Sequence, residues 1–161
     1  MKKVLISIAA SLVFVAVSLA QAPASIKVEV GGKVTEMTAA DLAKLPRKEV
    51  MGKDHDGKES TFSGVEIREI LTAAGAKLGA EIRGKRLAEY LLVEAADGYR
   101  AVYAIAELDP EFSSDVIILA DKQDGKGLDE KNGKFQVIAP SDKRHGRWVR
   151  QVTALRLRVA P

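Results

Sequence analysis

The sequence predicts an α+β fold with a mixed, mostly antiparallel sheet and two or three short helices. Short apolar runs, alternating or continuous, recur along the chain between turn residues, and only a few segments carry a helix start. A length of 161 residues suits one domain. The chain has no cysteine. This excludes a disulfide scaffold, a Cys–zinc site, an iron–sulfur cluster and a cysteine nucleophile.

Residues 1–20 are predicted to be a signal peptide. Two lysines precede the apolar run Val4–Leu19, and small residues at Ser18 and Ala20 suit signal peptidase. The run is shorter than the roughly 20 residues of a membrane-spanning helix. We therefore expect a periplasmic or secreted protein with no stable membrane insertion after cleavage.

Nine segments read as strands by their apolar pattern. They are Ser25–Val30, Lys33–Met37, Lys48–Met51, Ser60–Phe62, Tyr90–Ala96, Tyr99–Ile105, Val116–Ala120, Phe135–Ile138 and Val152–Val159. Gly31-Gly32 joins the first two as a hairpin, and Asp97-Gly98 joins Tyr90–Ala96 to Tyr99–Ile105. Gly79–Lys85 is predicted to be a loop.

Two helix starts stand between these strands. Thr38, with Asp41 three residues later, predicts a capped helix over Ala39–Leu45, which Pro46 ends. Ser63 and Glu66 match a capping box, so Ser63 is predicted to be the cap of the second helix. One apolar face of that helix carries Ile67, Ile70, Leu71 and Ala74.

The charge pattern indicates which kinds of binding partner the protein can have. Removal of residues 1–20 takes away two lysines and no acid, which leaves the chain nearly neutral and disfavours nucleic acid. The segment Ser141–Arg158 nevertheless carries six basic residues against one acid. Such a segment is either an anion site or a solvated strand face.

Five segments, in order and spacing, resemble the oxidoreductase molybdopterin-binding domain family, which has the fold of sulfite oxidase. They are DLAKLP, TFSGVEIREILTAAG, EAADGYRAVYAIAELD, VIILADKQDGKGL and IAP with GRWVRQVTALRL. The resemblance covers nearly all of residues 21–161 and implies that they form one molybdopterin-binding-like domain. In that family a cleft holds a molybdenum–pterin cofactor.

The chain departs from the family where the metal is bound. Catalytic members hold molybdenum through one cysteine thiolate, but the corresponding stretch Lys48–Ser60 has none, and a hydroxyl at Ser60 or Thr61 is a poor substitute. The Arg and Pro that are usual before Ile138 are also missing. The signal lacks the Arg pair of proteins exported with a loaded cofactor.

These departures indicate a non-catalytic binding module for an anionic small molecule or a periplasmic protein, with no cofactor. One alternative is a genuine molybdopterin-dependent oxidoreductase or a subunit of one. Another is a structural domain that binds a periplasmic partner.

The resemblance also implies site residues. The GRWV segment lies near the pterin phosphate in the family, which implies Arg147 as an anion ligand, with Arg150 where lysine is common. An arginine fork suits a phosphate or carboxylate, and Gly146 lets backbone amides approach a ligand. The candidate set is completed by the neighbouring Lys143, Arg144 and His145. The alternative is a solvent-exposed basic loop.

Three further residues are weaker candidates. Tyr99 and Arg100 follow a tight turn and can reach a cleft, although alternation with Tyr103 also predicts packing on a sheet face. His55 lies where the family has cofactor contacts, but the sequence favours a polar surface loop there. Trp148 is either a core residue or a cleft wall. No catalytic residue or metal ligand is predicted.

Overall fold

Two β-sheets build the structure. The computed structural model describes residues 24–53 and 56–161. In these ranges the strands are β1 (Ser25–Val30), β2 (Lys33–Thr38), β3 (Arg47–Lys53), β4 (Glu59–Glu66), β5 (Glu89–Ala95), β6 (Arg100–Ala104), β7 (Ile118–Gln123), β8 (Lys126–Gly127), β9 (Gln136–Ile138) and β10 (Val152–Val159). The helices are α1 (Ala39–Leu42) and α2 (Ile67–Ala73). The predicted signal peptide and His55 lie outside the described residues.

The first sheet has the strand order β2-β1-β10-β5-β6. Only β1 and β10 run parallel, and the other neighbours are antiparallel. Alternation sends Val28, Val93 and Leu155 inward, where they are fully buried. Charged side chains occupy the opposite face, so one face of this sheet is core and the other is solvated.

The second sheet is antiparallel. Strand β4 lies between β3 and β7, and both β8 and β9 pair with the other edge of β7. The close approach of β4 to β7 requires glycine at position 64, because a Cβ there would lie 2.1 Å from the carbonyl oxygen of Leu119. Ile118, Leu119 and Ala120 are all buried, as the continuous apolar run predicts.

The first helix begins as predicted. The Asp41 amide donates to Thr38 Oγ1 at 3.2 Å, and the Thr38 amide donates back to Asp41 Oδ2 at 3.2 Å. This reciprocal pair satisfies two of the amides that a helix start leaves unpaired. The helix ends at Leu42, three residues earlier than predicted.

The predicted cap of the second helix is wrong. Ser63 lies within β4, and the helix begins only after Glu66, which makes no side-chain cap bond. Pairing of β4 with β7 keeps this segment extended, and the Ile67 amide donates to the Ile117 carbonyl at 3.0 Å. Sheet pairing therefore overrides a local capping pattern. The predicted buried face is correct, since Ile67, Ile70 and Leu71 are inaccessible to solvent.

Both sheets contribute to one hydrophobic core, with Phe62, Val65 and Val137 from the second sheet beside Leu91 and Leu155 from the first. The predicted α+β class, mostly antiparallel pairing and few short helices are confirmed. The structure has two sheets, whereas the sequence analysis expected a single sheet.

The predicted loop Gly79–Lys85 contains short 3₁₀ turns. Among the described helices, none has the length and apolarity to span a membrane.

Candidate functional site

An open cavity of about 810 Å³ lies where loops from both sheets meet. Phe62 of β4 and Gln136 of β9 contribute from the second sheet, and Ala95 contributes from the end of β5 in the first. The segment from Lys143 to Arg150 supplies much of the remaining wall. The cavity therefore combines buried strand residues with a basic loop.

Aromatic rings form the apolar wall. Trp148 is only 6% exposed, and its Nε1 donates to the Ala139 carbonyl at 2.8 Å. Phe62 meets the indole edge-on at a centroid distance of 5.6 Å, and the His145 ring lies 4.3 Å from it at an interplanar angle of 37°. Trp148 is therefore both a core residue and part of the cavity wall, so both roles considered in the sequence analysis apply.

Four cationic side chains surround the cavity. They are Lys131, Lys143, Arg144 and Arg150. Within residues 24–53 and 56–161, none of them has a carboxylate at ion-pair distance. Arg150 is half-buried, whereas Lys143 and Arg144 are exposed. Cations left without a protein partner beside a cavity favour an anionic ligand.

Three acids also line the cavity, and two of them are committed to backbone amides. Asp97 Oδ1 accepts from the Tyr99 amide at 2.9 Å, and Asp129 Oδ1 accepts from the Asn132 amide at 2.7 Å. These bonds fix turns at the cavity margin. The third acid is Asp56. The acids are thus fewer than the cations.

The basic loop is held in place by a tyrosine. Tyr99 is 51% exposed, and its hydroxyl donates to the Gly146 carbonyl at 2.6 Å. This bond ties the turn before β6 to the loop that carries Arg144. Arg100, the next residue, does not line the cavity, because its side chain pairs with Glu94 at 3.3 Å on the first sheet.

Arg147 does not line the cavity. Its Nε and Nη2 donate to the two carboxylate oxygens of Asp142, and its Nη1 donates to Glu107 Oε2 at 2.6 Å. Its Cζ lies 4.5 Å from the centroid of the Tyr103 ring. The hydrogen bond with Asp142 raises the pKa of Arg147 further above its ordinary value. This differs from the anion-ligand role that the resemblance implies, because the guanidinium fork is already filled by the protein's own carboxylates.

The remaining basic residues of the C-terminal segment have a structural role. Arg156 and Arg158 of β10 both contact Glu29 of β1, and Arg156 also contacts Glu94. The Arg158 and Arg156 guanidinium groups lower the pKa of Glu29 to about 2. For these two arginines the structure supports the solvated strand face, and only Lys143, Arg144 and Arg150 reach the cavity.

The structure thus brings six of the predicted residues together. Tyr99, Lys143, Arg144, His145, Gly146 and Arg150 line one cavity. Gln136 was missed by the sequence analysis. It is the one polar residue in the apolar run Phe135–Ala139, and that interruption is a signal that could have found it.

The donor set fits one part of a molybdenum–pterin cofactor and not the other. Arg144, Arg150 and Lys143 suit a phosphate group. The cysteine thiolate that the resemblance implies as the metal ligand is missing, because the chain has no cysteine. In the part of the chain that the structure describes, no three His, Asp or Glu side chains cluster in the way a metal site requires. The described residues therefore do not supply the metal ligand that the resemblance implies.

Comparison with known proteins supports the fold. The chain is similar to the crystal structure of the sulfane dehydrogenase SoxCD from Paracoccus pantotrophus, with a TM-score of 0.65 and 16% sequence identity. The similarity covers 83% of this chain and 37% of that chain, so this chain spans little more than a third of its length. No protein-family model and no curated protein matches the chain. At this identity the likeness concerns the fold alone.

Proposed function

We propose that this chain is an exported, non-catalytic binding protein with a molybdopterin-oxidoreductase fold, whose cavity binds an anionic small molecule. One observation carries the proposal: Lys143, Arg144 and Arg150 face an open cavity without a carboxylate partner among the described residues. Elsewhere in the same basic segment, Arg147, Arg156 and Arg158 are all neutralised by acids. This contrast supports the proposal that the positive charges at the cavity bind an anionic ligand.

The aromatic residues of the cavity wall suggest that the ligand also has an apolar part. The mostly buried Trp148 and Phe62 contribute to the apolar part of the cavity wall, and the His145 ring packs against Trp148. Ligand sites commonly combine an apolar wall with a few charged groups that set orientation. An organic anion therefore suits the cavity better than a bare inorganic ion, and export rests on the signal-like residues 1–20.

The shared fold with SoxCD keeps a second candidate, a molybdopterin-dependent oxidoreductase or a subunit of one. Its cofactor would be molybdenum–molybdopterin, with the phosphate near Arg150. Against this candidate, the chain lacks the thiolate that would hold the metal. The molybdenum and pterin content of the protein purified from the periplasm of a cofactor-competent host separates the two candidates. About one of each per chain would favour the enzyme.

Calorimetric titration with phenyl phosphate tests the binding proposal. Wild type is expected to bind, and Arg150→Ala is expected to bind at least about tenfold more weakly, because a charge-assisted hydrogen bond contributes about 1.5–3 kcal/mol. Arg83→Ala is the matched control, since Arg83 is exposed and does not line the cavity. Equal affinity in all three proteins, or no binding to wild type, would contradict the proposal.

A further inference from the structure

One buried side chain in the cavity wall lacks the partner that its chemistry needs. Gln136 is 5% exposed, and its Oε1 is buried with no hydrogen-bond donor in the described structure. The other two buried polar residues of the described chain are satisfied. Ser60 Oγ accepts from Gln123 Nε2 at 3.0 Å, and Asp109 accepts from the amides of Gly79 and Glu111. Gln136 is the exception among these three residues; the only other buried side-chain atom of the described residues without a partner is Nε of the half-buried Arg68, which does not line the cavity.

The position of Gln136 makes this exception informative. An unsatisfied buried amide oxygen is costly, and such groups are rare in native structures. Gln136 belongs to β9, and its immediate neighbours Phe135 and Val137 are apolar and buried. A leucine or methionine there would avoid the cost. Gln136 lines the same cavity as Arg150 and Trp148, so this residue with an unsatisfied acceptor belongs to the wall of the proposed ligand site.

We infer that Gln136 determines specificity by selecting organic anions that also carry an N–H or O–H donor. A carboxamide oxygen only accepts hydrogen bonds, so it complements a donor on the ligand and gains nothing from a methyl group in the same place. The basic loop with Arg150 binds the anionic group, and the Trp148 wall covers the apolar body. This inference rests on the proposed binding function and adds the second polar group of the ligand.

Matched probes test the inference in the wild-type chain. The three positional isomers of aminophenyl phosphate are compared by calorimetry with the corresponding tolyl phosphates. An amino group and a methyl group are similar in size, so each pair differs mainly in donor capacity. At least one amino isomer is expected to bind about tenfold tighter than its tolyl counterpart, because the donor satisfies an acceptor that otherwise stays unpaired.

Gln136→Met separates a ligand contact from a structural role. The variant is expected to lose the preference for the amino isomer while its Tm stays equal to or above that of wild type, since an orphaned acceptor is removed. Gln123→Met is the matched control for stability. Its Tm is expected to fall, because that substitution breaks the bond with the buried Ser60 hydroxyl.

Each outcome decides the inference. Equal affinity for every amino–tolyl pair overturns it and leaves the proposed function standing, because both probes still bind. A drop in Tm for Gln136→Met as large as that for Gln123→Met overturns it too, since Gln136 would then be a structural residue. If none of the probes binds, the inference and the proposed function are both wrong. The wild-type comparison holds even if a variant fails to fold.

Discussion

Replacing Arg147 with methionine is expected to destabilise the protein without a large change in side-chain volume. The substitution leaves Asp142, whose side chain is 15% exposed, without its bidentate partner, and it leaves Glu107 without its ion pair. It also removes the cation from the face of Tyr103. This arginine therefore links three parts of the fold: the loop with Asp142, the 3₁₀ turn with Glu107, and β6 with Tyr103.

The magnitude follows from these contacts. A charge-assisted bidentate bond to a mostly buried carboxylate contributes about 1.5–2 kcal/mol. The pair with the more exposed Glu107 adds about 0.5 kcal/mol, and the cation–π contact adds about 0.5 kcal/mol. Together they predict a loss of about 2.5–3 kcal/mol in the free energy of unfolding.

Urea unfolding measured by tryptophan fluorescence provides the assay, because Trp148 is the single tryptophan and lies next to Arg147. Arg144→Met is the matched control. Arg144 belongs to the same loop, is exposed and has no ion pair within the described residues, so its change is expected to stay within about 0.5 kcal/mol. The reasoning is refuted if Arg147→Met is as stable as wild type, or if the two variants are destabilised equally.

Two further predictions concern the sheets. Because its pKa is lowered to about 2 in the folded state, Glu29 contributes stability that is complete above its ordinary pKa of about 4.3 and is lost as the pH falls toward 2. Lowering the pH from 5 to 2 should therefore reduce the free energy of unfolding of wild type more than that of Glu29→Gln. Parallel curves of unfolding free energy against pH for the two proteins would contradict this. Gly64→Ala should cost more than about 3 kcal/mol, because the new Cβ would lie 2.1 Å from the Leu119 carbonyl oxygen. Gly127→Ala is the control, with no atom within 4 Å of its Cβ, and equal thermal melts of the two variants would show that the β4–β7 approach does not need glycine.

Local patterns in the sequence predict much of the fold. The hairpin at Gly31-Gly32 and the one at Asp97-Gly98 appear where the turn residues place them. Thr38 caps the first helix, because a cap depends on residues only three positions apart. Such features depend on residues that are close together in the sequence, so they can be predicted from the sequence alone.

Long-range pairing is what the sequence does not contain. Ser63 matches a capping box, yet its neighbours Gly64 and Val65 pair with β7, more than fifty residues later. The parallel pairing of β1 with β10 joins the two ends of the described chain, and no local pattern encodes it. These choices depend on which surfaces meet after collapse.

The same limit applies to the site. The resemblance implied Arg147 as an anion ligand, but Arg147 binds Asp142, five residues away, and Glu107, forty residues away in sequence. No pattern around Arg147 distinguishes it from Arg150, which stays without an ion pair in the described residues and faces the cavity. Only the tertiary arrangement shows which basic residues are used internally and which remain for a ligand.

Chemical-shift mapping of isotope-labelled protein during titration with phenyl phosphate tests the central claim most directly. The account predicts that the largest changes occur at the amides of residues 143–146, at the Arg150 amide and at the indole N–H of Trp148. Changes concentrated around Arg156 and Arg158 on the outer face of the first sheet would contradict it. So would the absence of any change at millimolar probe.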